Sequence, residues 1–361
     1  GSSISKVIRF NQPTAISSPD TYCYLWGGLT STDITTGDNW YKWNATTGVD
    51  MWERQSSPPG ASTDKLNVLT TDNNCIHATN TPIYASSATA TSLNVTSGTE
   101  IAVNSGTLSI SGDADVVGTV TIASGAVLDV DGDFDATGGN VTFSGAGTLQ
   151  VSSTTTSFGT LTTTAGTVKY DGSSAQTVFA GDYYNLDIDG SGTKSLAGNT
   201  TVKGDITLTD GTLDFDGNRN LNVIGDITKT SGALVNSSST NGYLILKATS
   251  SQNASQALCG FTAPSVSIKV QQSADVEITG DISANYLWVQ ANNSGTFTID
   301  NDYTLEVDNY IKVAGGTLNV VTGSLTTTLN SSSGHELSGG TLDIDGGTVS
   351  FGTSSNSTAD L

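Results

Sequence analysis

The sequence of 361 residues has little positive charge: 13 Lys and Arg residues stand against 34 Asp and Glu residues, and the formal net charge is −21. A chain this acidic offers no basic face that could neutralise phosphates, so we expect no nucleic-acid partner. Its apolar runs are far shorter than the roughly 20 residues of a membrane helix, so we expect no membrane insertion. Two histidines and three cysteines leave little material for a zinc site or a Cys–His nucleophile.

Helix-forming residues are also scarce, whereas β-branched and turn-forming residues are abundant, including 41 glycines. Apolar residues alternate with polar residues over most of the chain, which predicts strands with one buried face. The predicted fold class is therefore all-β. The acidity, the low Lys content and the many Ser, Thr and Asn residues favour an extracellular or cell-surface location.

A pentapeptide recurs along the chain: Gly, then Thr or Asn, an apolar residue, a polar residue and usually another apolar residue. Its glycines include Gly118, Gly139, Gly159, Gly295 and Gly316. A second marker, a Gly-Asp pair, occurs at Gly112-Asp113, Gly132-Asp133, Gly204-Asp205, Gly225-Asp226 and Gly280-Asp281. Both markers repeat at about 21 residues, which predicts a right-handed parallel β-helix, a β-solenoid of about twelve coils. The alternative is an antiparallel sandwich, which fits some short spacings but not the long-range multiples of 21.

Residues 1–85 differ from the rest, since they hold four of the five tryptophans, two of the three cysteines and five of the six prolines. We predict an aromatic-rich N-terminal capping region over 1–85, because a solenoid needs its open sheet end covered. The parallel β-helix is predicted over 86–361, with a loop insertion within 233–294 where the repeat weakens. At the C-terminus the repeat runs on to Phe351, so we expect either a piece of a longer solenoid or an open coil that could accept another molecule by strand addition.

The sharpest local feature is the motif Leu-Asp-apolar-Asp-Gly, whose first copy extends into an alternating run of Asp129, Asp131, Asp133 and Asp135. Four carboxylates this close repel one another unless a cation lies between them, and Ca²⁺ accepts six to eight oxygen ligands. The two interpretations are a weak Ca²⁺ site and a solvated acidic face. A third, the paired carboxylates of a polysaccharide hydrolase or lyase, is disfavoured because no Lys or Arg lies nearby in the sequence. We predict no catalytic residues and no enzyme.

The aromatic residues of the N-terminal region also allow two interpretations. Trp40, Trp43 and Trp52 could stack on sugar rings, or they could pack against the solenoid end, which their large apolar area favours. Cys23 and Cys75 could form a disulfide outside the cell, with Cys259 left as a buried thiol. Further along the chain, Tyr286 and Trp288 are interpreted as half-buried strand residues rather than a glycan platform.

The run AQTVFAGDYYNLDIDGSGTKSLAGNTTVKGDITLTDGTLDF, residues 175–215, resembles the β-helical repeats of large secreted and cell-surface, adhesin-like proteins of Bacteroidetes and related bacteria. The earlier motifs Trp26-Gly27-Gly28 and Asp38-Asn39-Trp40 resemble the entry to such solenoids. The resemblance implies a non-enzymatic extracellular structural or adhesive protein. Such a protein would be a filament subunit that stacks end to end with its own copies, or a stalk segment of a surface adhesin. The alternative is a glycan-binding or glycan-processing β-helix protein.

Overall fold

The computed structural model describes residues 23–26, 40–44, 51–57, 59, 65–68, 83–238, 240–248, 252, 255–271, 275–290, 295–328 and 334–352. These residues form strands joined by turns and corners, and no helix occurs among them. The described part of the chain accordingly holds no helix able to cross a membrane. The chain divides into two compact units, residues 1–166 and 167–361. This boundary was not predicted from the sequence. Each unit is a parallel β-solenoid.

The strands of residues 1–166 are short and regularly spaced. They are β1 (Cys23–Trp26), β2 (Trp40–Asn44), β3 (Met51–Arg54), β4 (Lys65–Val68), β5 (Ile83–Tyr84), β6 (Ala88–Ala90), β7 (Ser92–Val95), β8 (Glu100–Val103), β9 (Thr107–Ile110), β10 (Ala114–Val116), β11 (Thr119–Ile122), β12 (Val127–Val130), β13 (Phe134–Asp135), β14 (Asn140–Phe143), β15 (Thr148–Val151), β16 (Thr155–Ser157) and β17 (Thr160–Leu161).

Three parallel sheets build this first unit, because each strand pairs with the strands three before and three after it. The first sheet contains β4, β7, β10, β13 and β16, the second β5, β8, β11, β14 and β17, and the third β6, β9, β12 and β15. The pairing is in register: Leu128 lies between Leu108 and Leu149 on neighbouring turns. All three leucines are fully buried. Stacking thus buries inward side chains that a single turn would leave in water, and each contributes about 1.5–3 kcal/mol.

The described part of the N-terminal region extends the first sheet. Strand β1 pairs in parallel with β4 and antiparallel with β2, and β2 pairs antiparallel with β3. The indole of Trp40 is fully buried and meets the ring of Tyr24 edge-on, with ring centroids 6.4 Å apart. The capping role of residues 1–85 stays a prediction.

The second unit, residues 167–361, repeats the same construction. Its strands are β18 (Thr167–Tyr170), β19 (Gln176–Val178), β20 (Asp182–Tyr183), β21 (Asn185–Ile188), β22 (Thr193–Leu196), β23 (Thr200–Val202), β24 (Ile206–Leu208), β25 (Thr212–Asp214), β26 (Asn220–Val223), β27 (Ile227–Lys229), β28 (Ala233–Val235), β29 (Gly242–Leu246), β30 (Ser255–Leu258), β31 (Phe261–Ala263), β32 (Val266–Gln271), β33 (Asp275–Ile278), β34 (Ile282–Ala284), β35 (Leu287–Gln290), β36 (Thr296–Ile299), β37 (Thr304–Val307), β38 (Ile311–Gly315), β39 (Thr317–Val320), β40 (Ser324–Thr327), β41 (Glu336–Leu337), β42 (Thr341–Ile344) and β43 (Thr348–Phe351).

One sheet of the second unit carries an unusual series of aromatic and lysine side chains. It contains β20, β23, β26, β29, β32, β35, β38 and β41, all parallel, and we call it the β20–β41 sheet. The rung spacing changes once: the backbone N–H of Ala257 donates to Asp226, 31 residues earlier, where about 21 is usual. This longer connection falls within 233–294, the stretch where the repeat weakens in the sequence.

The prediction of a parallel β-helix with about 21 residues per coil and about twelve coils is confirmed, and the antiparallel sandwich is wrong. Both sequence markers lie at corners or strand starts. Thr107 follows Gly106 and opens β9, whereas Gly132-Asp133 forms the corner between β12 and β13. The right-handed sense of the coil stays a prediction.

Candidate functional site

Gly112-Asp113 and Gly132-Asp133 lie along one corner of the first unit, and Gly204-Asp205 and Gly225-Asp226 lie along one corner of the second; we call each series the corner ladder. Gly280-Asp281 lies at a different corner, between β33 and β34. In the first unit, Oδ1 of Asp113 accepts the backbone N–H of Asp133 at 2.9 Å, and Oδ1 of Asp133 accepts that of Thr154 at 3.2 Å. In the second unit, the N–H of Asp226 donates to Oδ1 of Asp205 at 2.9 Å. These aspartates therefore hydrogen-bond one turn to the next, a structural role that explains their period.

The glycine of each pair is required by the close approach of neighbouring corners. A Cβ on Gly132 would lie 2.2 Å from the carbonyl carbon of Gly112. A Cβ on Gly225 would lie 2.3 Å from the carbonyl oxygen of Gly204. Only glycine allows the backbones to come this close. The two residues of the pair therefore act together: the glycine permits the close approach, and the aspartate accepts a hydrogen bond from the next turn.

The four aspartates predicted to bind Ca²⁺ are divided among different surfaces. Asp129 lies on β12 in the third sheet and Asp135 on β13 in the first sheet, with Asp131 and Asp133 at the corner between them. Oδ1 of Asp135 accepts the N–H and hydroxyl of Thr137 at 2.9 and 2.6 Å. In the described ranges, no three His, Cys, Asp or Glu side chains are grouped so as to hold a metal ion. The four residues do not form a preformed metal site, and calcium binding by them stays a prediction.

Asp133 is also engaged within the scaffold. Its Oδ1 accepts the hydroxyl of Ser153 at 2.8 Å in addition to the N–H of Thr154. These two hydrogen bonds hold the pKa of the Asp133 carboxyl below its usual value. The carboxylate thus serves the corner ladder.

The structure describes only some of the tryptophans predicted to stack on sugars and of the cysteines predicted to form a disulfide. Trp40 is fully buried, so the interpretation of this residue as a sugar-stacking surface is wrong. Trp43 and Trp52 are backbone partners on β2 and β3, and their side chains lie outside the described residues. The disulfide between Cys23 and Cys75 also falls outside the described residues and stays a prediction. Cys259 is a buried free thiol, and burial raises its pKa to about 11.

An unusual surface of the second unit is the outer face of the β20–β41 sheet, where aromatic and lysine side chains stack on successive turns. We call it the aromatic–lysine face; it comprises Tyr243, Lys269, Tyr286, Trp288, Tyr310 and Lys312. All six side chains are partly exposed. Tyr286 and Trp288 were expected from the sequence to be half-buried strand residues, and the surface that they form with the lysines was not predicted.

In-register pairing creates the first column of this face. Lys269 pairs with Trp288, and Trp288 pairs with Lys312 on the following turn. Strands lie about 4.8 Å apart, so the side chains must contact one another. The ammonium groups of Lys269 and Lys312 lie 4.9 and 5.4 Å from the Trp288 ring centre. Lys269 also lies 4.0 Å from the ring centre of Tyr243. These are cation–π contacts, each stabilising by about 0.5–1 kcal/mol at an exposed site.

A second column runs beside the first. The rings of Tyr286 and Tyr310, which directly precede β35 and β38, stack with centroids 4.5 Å apart. Ser267 pairs with Tyr243 and is 1% exposed. The Ser267 hydroxyl and the Trp288 indole N–H are buried atoms without a hydrogen-bond partner among the described residues. Unpartnered polar atoms of this kind are rare in folded proteins and call for an explanation.

The charge of this face is opposite to that of the whole chain. Lys312 pairs with Glu336 at 2.8 Å, whereas Lys269 has no carboxylate within 4.0 Å in the described part of the chain. Burial lowers the pKa of Lys269. Lys203 and Lys247 directly follow β23 and β29 in the same sheet. Four of the ten lysines therefore lie on or beside this one sheet, in a chain of net charge −21.

A groove lies beside the corner ladder of the second unit. It has a volume of about 520 Å³, and its lining includes Tyr184, Lys203, Asp205 and Asp226. Asp205 and Asp226 each use one carboxylate oxygen for a backbone N–H of the next turn. Lys203 pairs with Asp182 at 3.2 Å. The groove is polar, and its charged groups already have partners within the scaffold.

The interior of the second unit also contains polar groups, all held by the scaffold. The hydroxyls of Tyr170 and Tyr183 lie 3.1 Å apart, and Tyr183 donates to the carbonyl of Phe179 at 2.6 Å. The fully buried ammonium of Lys194 donates to the carbonyl of Gly172 at 2.5 Å. These bonds satisfy groups that would otherwise be costly to bury.

In comparisons with protein-family models, curated proteins and solved structures, no match was found.

Proposed function

We propose that this chain is a non-enzymatic extracellular structural or adhesive β-solenoid, either a subunit of a self-assembling filament or a stalk segment of a surface adhesin. The observation that carries the proposal is the corner ladder. The residue types that recur most regularly, Gly and Asp, hydrogen-bond and space successive turns, as between Asp113 and Asp133. The repeated polar residues hydrogen-bond to the backbone of the next turn, and this arrangement favours a mechanical role over a catalytic one.

The parallel ladder supports this role physically. Each turn is bonded to the next by backbone hydrogen bonds and by stacked apolar side chains, so extension along the coil would break many bonds at once. The acidic composition keeps such a scaffold soluble and limits non-specific association. An extracellular location is proposed from the composition and from the resemblance to secreted repeat proteins.

Negative-stain electron microscopy of the purified chain, with and without Ca²⁺, tests the proposal. We expect elongated particles one solenoid wide. Long filaments with a regular axial repeat would identify a polymer subunit, and isolated short rods at high concentration would identify a stalk segment. Compact particles of irregular outline would contradict the proposal. So would steady release of reducing ends from a polysaccharide panel, which would show an enzyme.

Glycan binding is a second candidate function, and the aromatic–lysine face favours it. Exposed aromatic rings offer apolar area to the C–H groups of a sugar ring while their polar edges remain in water. The stack of Tyr243, Lys269, Trp288 and Lys312 follows the coil, so it could contact several units of one polymer. A soluble glycan that raises the unfolding temperature would support this function, and a panel without any effect would contradict it.

A further inference from the structure

We propose that the aromatic–lysine face binds an acidic polysaccharide, with the ammonium groups of Lys269 and Lys312 holding sugar carboxylates on either side of Trp288. The inference rests on the proposed adhesive role and gives it a ligand class and a site. Three properties of the face support it: its charge, its exposed aromatic rings and its repeat along the coil.

The charge selects an anion. Lys269 contacts the rings of Tyr243 and Trp288 and has no carboxylate within 4.0 Å in the described residues. A partly desolvated ammonium interacts more strongly with an incoming carboxylate than a fully hydrated one does. Lys312 is paired with Glu336, whose side chain is 46% exposed, so a ligand carboxylate can share or replace that contact. Elsewhere the acidic chain repels polyanions, which confines binding to this face.

The exposed aromatic rings favour a sugar. Ser267 stands between Tyr243 and Tyr286 in the second column, so its small side chain separates two aromatic rings. The indole N–H of Trp288 and the hydroxyl of Ser267 are buried, so a ligand contacts the exposed parts of the rings and the ammonium groups instead. A sugar offers C–H faces for the rings, whereas a simple inorganic anion offers only charge.

The repeat selects a linear polymer. Lys269 and Lys312 both lie about 5 Å from the same ring centre, so their ammonium groups are no more than about 10 Å apart. Their mutual position is fixed by the stacked strands rather than by flexible loops. A polymer with carboxylates at regular intervals can therefore engage both ammonium groups at once, and the second contact forms at a high effective concentration. Nucleic acid is the less suitable polyanion, since few cations are present for its dense phosphates.

Isothermal titration calorimetry with oligogalacturonate tests the inference, and fully methyl-esterified oligogalacturonate serves as the uncharged comparison. We expect the acid to bind with an affinity that falls as salt is added, and we expect the ester to bind much more weakly. The double variant Lys269→Gln/Lys312→Gln should bind at least tenfold more weakly, because charge-assisted contacts are lost. A matched control, Lys169→Gln/Lys229→Gln, removes the same charge from another sheet of the same unit and should change the affinity less than twofold.

Several results would overturn the inference. Equal binding of acid and ester would show that charge is not recognised. Equal losses in the two double variants would show that binding follows the net charge of the chain and not a local site. DNA binding as tight as oligogalacturonate binding would show a general polyanion surface. Thermal melts followed by circular dichroism show whether each variant is folded, so that a loss of binding is not confused with misfolding. If the chain forms elongated particles but binds no oligogalacturonate, the ligand assignment fails while the scaffold proposal stands.

Discussion

The carboxylate of Asp113 accepts the backbone N–H of Asp133 across neighbouring turns, with 2.9 Å between Oδ1 and N and 20 residues between the two along the chain. Asp133 makes the same contact to Thr154 one turn further on. At a corner the strand ladder is interrupted, so backbone N–H groups would otherwise lack a protein acceptor. The aspartate supplies that acceptor, which is why its spacing equals the length of one turn.

The first prediction concerns this contact. Asp113→Ala removes the acceptor for the N–H of Asp133 and should lower the free energy of unfolding by about 1 kcal/mol. Asp113→Asn keeps a side-chain oxygen in place and should have little effect. Asn185 already serves in this way in the second unit, where it accepts the N–H of Asp205 at 2.9 Å. Urea-induced unfolding followed by circular dichroism measures both changes.

Asp131→Ala is the matched control for that experiment. Asp131 is exposed near the same corner, and no hydrogen bond of its side chain occurs in the described residues. Its replacement should leave stability almost unchanged or raise it slightly by reducing repulsion. If Asp131→Ala destabilises the chain as much as Asp113→Ala does, the corner ladder is not the cause.

The second prediction concerns the glycine of the same corner. Gly132→Ala would place a Cβ 2.2 Å from a backbone carbon of Gly112, which stacked turns cannot relieve without shifting. We expect a loss of about 3 kcal/mol. Gly125→Ala is the control, since its φ of +75° is strained for alanine but nothing lies within 4 Å of the added atom. It should cost about 1 kcal/mol. Gly132 lies outside the positive-φ region, so a loss in thermal melts no larger than that of Gly125→Ala would contradict the steric explanation.

The architecture could be predicted from the sequence because the two markers share a period and inward positions alternate with outward positions. Leu108 and Leu149 occupy one position of the pentapeptide, Leu128 lies at the equivalent position of the turn between them, and the three leucines stack in one buried column. The role of the Gly-Asp pair could not be read in the same way. An aspartate that recurs in the sequence is equally typical of a metal ligand, a solvated face or a backbone acceptor. Only the distance from Asp113 to the next turn decides among them.

The aromatic–lysine face was missed because its residues differ in type from turn to turn. Lys269, Trp288 and Lys312 share one position in three successive coils, but a search for a repeated residue does not find them. An alignment of the coils by register, with VSIKVQ above YLWVQ and YIKVA, would have revealed the column. The interpretation of Trp40 as a sugar-stacking residue was wrong for a different reason. An aromatic cluster in the sequence does not indicate which rings are buried.

The third prediction concerns alkaline pH. Burial raises the pKa of Tyr170 to about 12 and that of Tyr183 well above 10. In the unfolded chain both hydroxyls ionise near pH 10, so the unfolded state releases protons that the folded state retains. Stability should therefore fall as the pH rises from 10 towards 12, by about 1.4 kcal/mol per pH unit for each tyrosine in that range. Absorbance at the phenolate band during a pH titration should show these two groups ionising only as the protein unfolds.

Tyr170→Phe separates this effect from general alkaline denaturation. The variant loses one raised pKa together with the hydrogen bond to the N–H of Phe179. It should be less stable at neutral pH but lose less stability between pH 10 and 12. If the free energy of unfolding falls with pH as steeply in this variant as in the unaltered chain, Tyr170 does not control the alkaline transition.

The last prediction concerns calcium. A Ca²⁺ ion needs six to eight oxygen ligands, but Asp129 and Asp135 lie on different sheets. Oδ1 of Asp133 is already bonded to Ser153 and Thr154. We therefore expect millimolar Ca²⁺ to leave the midpoint of thermal unfolding unchanged. A site with a Kd one hundred times below the calcium concentration would stabilise the fold by about 2.7 kcal/mol, which a thermal melt detects easily.

Mg²⁺ at the same concentration is the control, because any divalent salt screens repulsion between aspartates. Equal small rises with both cations would reflect screening and agree with the expectation. A rise with Ca²⁺ alone that disappears in Asp131→Asn/Asp133→Asn would contradict it. Asp133 would then have to exchange its bonds to Ser153 and Thr154 for metal ligation, because a calcium ion would compete for the same carboxylate oxygen.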